Sequence, residues 1–350
     1  MLHSRIPQYR QLPELKLFEG LFDLVNDKSR IHTEATVEKD GLCYPIHTLC
    51  LGTQDKHAPT LAIFAGVHGL ERVGTHVALA SLQSLLNLAT WDRSTQDLLK
   101  RVRILFMPIV NPIGMSLRWR ANGSGVDIMR NAPIDADSDT KINSLVGGHR
   151  YGSWLPWYRG EVGQLEAETR AIIEFSRREL LVSERCISLD IHSGFGRKDR
   201  LWFPYAKSHK PIPNIDEIFA LKATFDRSFP NHVYCIEPQS TQYTTHGDVW
   251  DFLFQERLNQ RPTNISYLPL TLEMGSWMWV KKNPRQLFSS LGPFNPFIEH
   301  RFKRVLRRHL ILIDFLLRAL DSWPEWCPAG DVKKSTFSNE GKKLWWPEKA

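Results

Sequence analysis

Residues 61–80 read LAIFAGVHGLERVGTHVALA. Leu61 to Ala65 is an unbroken apolar run that suits a buried strand. Gly66 ends it, and helical apolar spacing at Val73, Val77, Leu82 and Leu85 begins just after Glu71. His68 and Glu71 therefore fall in the turn between strand and helix. An imidazole nitrogen and a carboxylate, three residues apart about a glycine that lets the chain turn tightly, are both metal donors. Alone, His-x-x-Glu also describes a surface turn with an acid at a helix start, so the rest of the chain decides its meaning.

Downstream, Val102 to Val110 is a second apolar strand ending at Asn111-Pro112, and strand, helix, strand implies parallel pairing. Gly114 to Pro133, rich in Gly, Asn and Arg, reads as a long loop of the kind that carries function. Asp135 to Gly163 lacks periodicity, and its rings (Tyr151, Trp154, Trp157, Tyr158) either cover a cleft or pack on the surface. A helix is expected from Gln164 to about Leu181, then a strand, Cys186 to Ile191, that ends at His192-Ser193-Gly194. Strand-like segments at Leu201 to Ala206 and His232 to Ile236 flank a helix at Ile215 to Phe229. Asp248 opens a helix to about Leu258, and the strand Tyr267 to Leu272 closes on Glu273-Met274-Gly275. Upstream, residues 10–28 have helical spacing, while 31–51 alternates around Asp40-Gly41 as a β-hairpin does. The division is 1–55 for the helix and hairpin, part of the same domain; 56–320 for a catalytic domain with a long helix from Asn295 to Leu320; and 321–350 for a tail that packs through its tryptophans or orders poorly.

A chain of 350 residues that is 42% hydrophobic has enough apolar material for a large core. It contains no apolar run of membrane-spanning length and no secretory leader pattern, so no membrane association and a cytoplasmic location are expected. Five scattered cysteines without a C-x-x-C pair argue against a disulfide framework or a cysteine zinc site. Much of the net charge of +7 sits in His300–His309, HRFKRVLRRH, on a helix with an apolar stripe at Ile298, Phe302, Val305, Leu312 and Leu316. Those bases read as its solvated face, and no nucleic-acid motif accompanies them.

Three polar sets thus stand where apolar strands run out: His68 with Glu71, His192, and Glu273. Ligands of open α/β sheets gather at the carboxyl ends of parallel strands. Two histidines and a carboxylate leave a fourth zinc position open, the arrangement of a catalytic site, and Glu273 is the natural base for metal-activated water.

With these motifs the chain resembles the zinc metallocarboxypeptidase superfamily, whose wider membership includes succinylglutamate desuccinylase, aspartoacylase and murein peptide amidases, from about Leu61 to Gly275. The resemblance rests on His68-x-x-Glu71, on Arg120 followed by Gly125-Val126-Asp127-Ile128-Met129-Arg130-Asn131, on Asp190-Ile191-His192-Ser193, and on Leu272-Glu273-Met274-Gly275. It implies a mixed, mostly parallel twisted sheet flanked by helices in a three-layer α/β sandwich. It implies one Zn2+ per chain held by His68, Glu71 and His192, with Glu273 as general base. Arg120 would stabilise the oxyanion, with Arg118 near enough to compete for that role, and Arg130 with Asn131 would bind the substrate carboxylate. Asp190 either orients a ligand histidine or caps a turn. Tyr243, four residues before Gly247, matches the spacing of the family's mobile substrate-binding tyrosine, and an ordinary loop tyrosine is the alternative. Met129 departs from the asparagine of peptide-cleaving members, and a thioether cannot donate to a carboxylate. The implied reaction is hydrolysis of an amide bond near a free carboxylate in a small peptide or an N-acyl amino acid. An N-acyl amino acid deacylase or murein amidase remains open beside it, as does a catalytically inactive binding protein on the same fold. Oligomeric state is left open.

Overall fold

Among the described residues, eight strands form one mixed sheet in the order β1-β2-β4-β3-β5-β8-β6-β7: β1 Ile31–Lys39, β2 Leu42–Gly52, β3 Thr60–Ala65, β4 Arg103–Met107, β5 Cys186–Ser193, β6 Arg200–Phe203, β7 Cys235–Pro238 and β8 Tyr267–Met274. The structure is a computed structural model describing residues 12–347. The expected parallel pairing holds at the centre, where β4, β3, β5 and β8 run parallel; β2 and β6 flank them antiparallel, and β7 lies parallel to β6. The central strands β3, β4, β5 and β8 are buried along their whole length, which is why they read as continuous apolar runs rather than alternating ones. Asp40 and Gly41, with φ of 49° and 81°, make the two-residue turn that the hairpin signal predicts.

Alternation along the strands divides the two helical layers. Phe64 of β3 meets Phe175 and Trp250, at ring-centroid distances of 6.1 and 4.8 Å, under the helices Ala167–Phe175 and Val249–Gln260. Ile191 of β5 lies against Gly74 in the helix Arg72–Trp91, which packs with the long helix Glu299–Asp321 on the opposite face. Gly74 is required there, because a Cβ would stand 2.3 Å from Ile191 O.

Several boundaries move from their expected places. The loop after β4 opens with a short helix, Pro112–Leu117, and contains a single 3₁₀ turn, Ile128–Arg130. The helix expected from Gln164 starts at Ala167, because Glu166 is extended (ψ 153°) and gives its N–H to Asn131 Oδ1. The long helix begins at Glu299 rather than Asn295, since Asn295 precedes a proline and is otherwise engaged. Its Oδ1 accepts from Val73 N at 2.9 Å and its Nδ2 donates to Leu70 O at 2.7 Å, capping the Arg72–Trp91 helix from far along the chain. The first helix is Pro13–Leu21 with a 3₁₀ turn after it; residues 10 and 11 of the expected span lie outside the described residues. Beyond Ser322 the chain forms the helix Asp331–Trp345 along Ile215–Ser228, with Trp345 Nε1 donating to Ile236 O at 2.8 Å. No helix among the described residues is long and apolar enough to cross a membrane.

Candidate metal centre and active site

Three neighbouring parallel strands deliver the site. β3 pairs with β5, β5 pairs with β8, and the last pairs in register include Ala65 with Ile191 and His192 with Glu273. The turn that follows β3 carries His68 and Glu71 to the same edge. Gly69 lets it press against the Pro112–Leu117 helix, where a Cβ would stand 2.0 Å from Gly114 C. His68, Glu71, His192 and Glu273 are all buried.

The donors converge. His68 Nδ1 lies 2.9 Å from Glu71 Oε1 and His192 Nδ1 lies 3.0 Å from Glu71 Oε2, and one potential ligand atom from each of the three residues falls within 4.8 Å of the others. Tetrahedral zinc with bonds of about 2.0–2.1 Å separates its donors by about 3.3 Å, so the two histidine–carboxylate spacings are close to those of a zinc site. The far ring nitrogens are anchored too. His68 Nε2 is 3.1 Å from Asp127 Oδ1 and His192 Nε2 is 2.6 Å from Asp190 Oδ2, an arrangement that leaves both Nδ1 atoms as acceptors toward a metal. Asp190 reaches its histidine because residues two apart on a strand share a face. The same oxygen accepts from Trp250 Nε1 at 2.9 Å, so Asp190 orients the ring and caps no local turn. Burial pushes the Glu71 carboxyl upward, but the two imidazoles outweigh it and hold the group well below the usual carboxylate range. Burial, reinforced by Glu71, pushes Glu273 up to about 8; a cation seated among the three donors counters that rise. Phe195 N donates to Glu273 Oε1 at 3.0 Å and aims the carboxylate.

A cavity of about 460 Å³ opens over this centre, and Arg120, Met129, Arg130, Tyr243 and Glu273 all line it. Arg120 Nε donates to Asp127 Oδ2 at 3.0 Å and Nη1 stands 3.5 Å from Glu71 Oε1. Arg118, the expected competitor, ends the short helix at φ 59° and is not among the lining residues. The Arg130 guanidinium sits over the Tyr243 ring, 5.7 Å from its centroid, and that ring also meets Phe195 and Trp202. Trp157 lines the cavity, whereas Tyr151 and Trp154 face solvent, so one ring of that loop covers the cleft and others do not.

Asn131 stands apart from the expected set. Its Nδ2 donates to Arg159 O and Gln164 O at 2.9 and 3.1 Å and its Oδ1 accepts from Glu166 N at 2.8 Å, so the amide is consumed in holding the loop and does not line the cavity. Two acids were missed as site residues. Asp127 was visible only as part of a quoted motif; what could have marked it is an acid beside an arginine in a loop that returns to the metal turn. Asp248 starts its helix as expected, with Oδ1 accepting from Trp250 N and Asp251 N at 2.9 and 3.0 Å, yet it also lines the cavity, and its Oδ2 has no hydrogen-bond partner among the described residues.

This sheet edge, with three donors under a cleft that could hold a metal ion, has the form of a metal centre on an α/β fold. The chain belongs to the zinc carboxypeptidase family, whose profile matches residues 31–271, and zinc is the metal that membership implies. It is 24% identical over 245 residues to mast cell carboxypeptidase A of Mus musculus, covering 65% of this chain and 54% of that protein. It is 24% identical over 230 residues to carboxypeptidase B2 of Bos taurus, covering 61% and 51%. The chain spans about half the length of these curated relatives. Its fold is that of thrombin activatable fibrinolysis inhibitor (TM-score 0.65, 18% identity, 88% of this chain and 74% of that one) and of carboxypeptidase A from Helicoverpa armigera (TM-score 0.64, 17% identity, 88% and 71%).

Proposed function

We propose that the protein hydrolyses the amide bond next to a free carboxylate in a peptide or N-acyl amino acid, with zinc held by His68 Nδ1, Glu71 and His192 Nδ1. The observation that carries this reading is the register pair His192 and Glu273, which sets a candidate ligand and a buried carboxylate side by side on adjacent strands. Zinc in that place supplies a Lewis acid for the scissile carbonyl and acidifies water. Glu273 takes the proton of the attacking water and passes it to the leaving amine nitrogen, while the Phe195 N–H keeps its carboxylate aimed. Arg120, braced by Asp127, donates to the oxygen that gains charge as the carbonyl carbon becomes tetrahedral. Arg130 holds the substrate carboxylate by its guanidinium fork, and Tyr243 closes over it. The cytoplasm is the proposed location, supported by the free thiols of Cys43, Cys50, Cys186, Cys235 and Cys327.

The test is Glu273→Gln assayed on a panel of C-terminal peptides, N-acyl amino acids and cell-wall peptides. Turnover should fall by roughly 10²–10⁴-fold with zinc content intact. Full activity in that variant would remove Glu273 from the mechanism, and a wild-type enzyme inert toward the whole panel would remove the reaction.

A further inference from the structure

Away from the catalytic cleft, a second hollow of about 400 Å³ lies where the loop after β5, the segment after β8 and the long helix meet. Six cationic side chains line it: Arg197 and Lys198 from the loop, Lys282 from the short helix Trp277–Lys282, and Arg301, Arg304 and Arg308 from Glu299–Asp321. The one carboxylate among them, Asp199, is fully engaged. Its Oδ1 accepts from Gly275 N at 2.9 Å and its Oδ2 from Arg308 Nη1 at 2.7 Å. Among the described residues, Arg308 is the only one of the six with a carboxylate partner, and the buried Arg301 Nη1 meets no acceptor.

Part of the basic stretch that reads in the sequence as a solvated helix face thus borders a hollow shared with charges from two other segments, with Arg304 exposed and Arg301 and Arg308 half-buried. On a free helix face such cations spread into water and cost little. Here they ring a hollow whose wall includes the buried side chains of Trp279 and Val305, and the fields of the exposed Arg197, Lys198, Lys282 and Arg304 add at its mouth, where an anion is attracted. A buried guanidinium nitrogen without an acceptor is a further cost that only a bound acceptor relieves.

We propose that this hollow binds a compact anion carrying two or more phosphate groups. Five cations without carboxylate partners exceed what one carboxylate or one phosphate neutralises, and guanidinium forks match phosphate oxygens two at a time. Concavity and volume favour a small ligand over a polymer lying along the surface. The site is separate from whatever the zinc centre hydrolyses, so its test does not depend on that reading.

The experiment is calorimetric titration of the zinc-loaded full chain with inorganic tripolyphosphate at low ionic strength. It is repeated on the double variant Lys282→Ala/Arg304→Ala and on Arg307→Ala, whose cation is on the same helix but outside the hollow. One site per chain is expected, weakened about tenfold or more in the double variant and within about twofold of wild type in Arg307→Ala, with zinc content unchanged in both. Absence of saturable binding, or equal binding by the double variant, overturns the proposal. So does an equal loss in Arg307→Ala, or a short DNA duplex that binds more tightly than tripolyphosphate.

Discussion

His68 Nε2 lies 3.1 Å from Asp127 Oδ1, on the ring edge opposite the nitrogen that faces Glu71. The other oxygen of Asp127 accepts from Arg120 Nε at 3.0 Å, so one carboxylate fixes both a metal donor and the arginine beside it. Asp127→Asn preserves size but loses the charge that steadies both partners. Zinc affinity, measured by competition with a chelator, should fall roughly 10–100-fold. Unchanged affinity would reduce Asp127 to a loop cap for Met129 N, which it also serves at 3.1 Å.

Met129 lines the cavity beside Arg130 and offers no donor to a carboxylate. Replacing it by asparagine adds one. If a free substrate carboxylate rests there, Met129→Asn should lower KM by roughly tenfold or more, the worth of one hydrogen bond to a charged group, and leave kcat nearly unchanged. An unaltered KM in steady-state kinetics would move the carboxylate elsewhere in the cleft.

Arg257 is fully buried and donates to three backbone carbonyls: Ile265 O and Leu181 O, both at 2.7 Å, and Glu184 O at 2.9 Å. These precede β5 and β8, so the guanidinium ties down the entries of the two strands that carry His192 and Glu273. Lysine cannot span three separated acceptors, and Arg257→Lys should cost about 2–4 kcal/mol. The urea midpoint should drop with an unchanged slope; a shift worth less than about 0.5 kcal/mol, the range of surface substitutions, would contradict the role.

His309 is buried, and burial, with Arg308 adding to it and Asp199 opposing, pushes the imidazole down to about 4. Its Nδ1 lies within hydrogen-bond distance, 2.8 Å, of the Tyr234 hydroxyl. The folded state therefore binds this proton less readily than the unfolded chain, whose histidine titrates near 6.5. Stability from the neutral ring is complete above that value and is lost as pH falls through about 4, an amount on the order of 3 kcal/mol. In His309→Gln the decline across that window should flatten in denaturant titrations at stepped pH; parallel wild-type and variant curves would exclude His309 as its source.

Most of the sheet was legible because buried parallel strands are written as continuous apolar runs, and Cys186–Ser193 and Tyr267–Met274 each carry a polar residue of the candidate site, His192 and Glu273, one position before their end. The convergence of the candidate donors His68, Glu71 and His192 was legible for the same reason. They sit within two residues of a strand end or in the turn just after one, where local sequence dictates position. Asn131 and Asp248 were not legible, because a loop side chain's orientation is set by partners distant in sequence: Gln164 and Glu166 for the first, the cavity wall for the second. The basic helix face was half legible. Periodicity located its cations but could not tell that Arg197, Lys198 and Lys282 would be brought against them.

The Asn295 amide, bonded to Val73 N across 222 positions and to Leu70 O across 225, gives the metal turn an unusual dependence. A growing polypeptide can form the first βαβ unit long before it can finish the helix start beside Glu71. The cap on that helix start is therefore completed only once residue 295 has folded back, so the geometry of the turn that carries His68 and Glu71 is the last part of the candidate site to be fixed during synthesis.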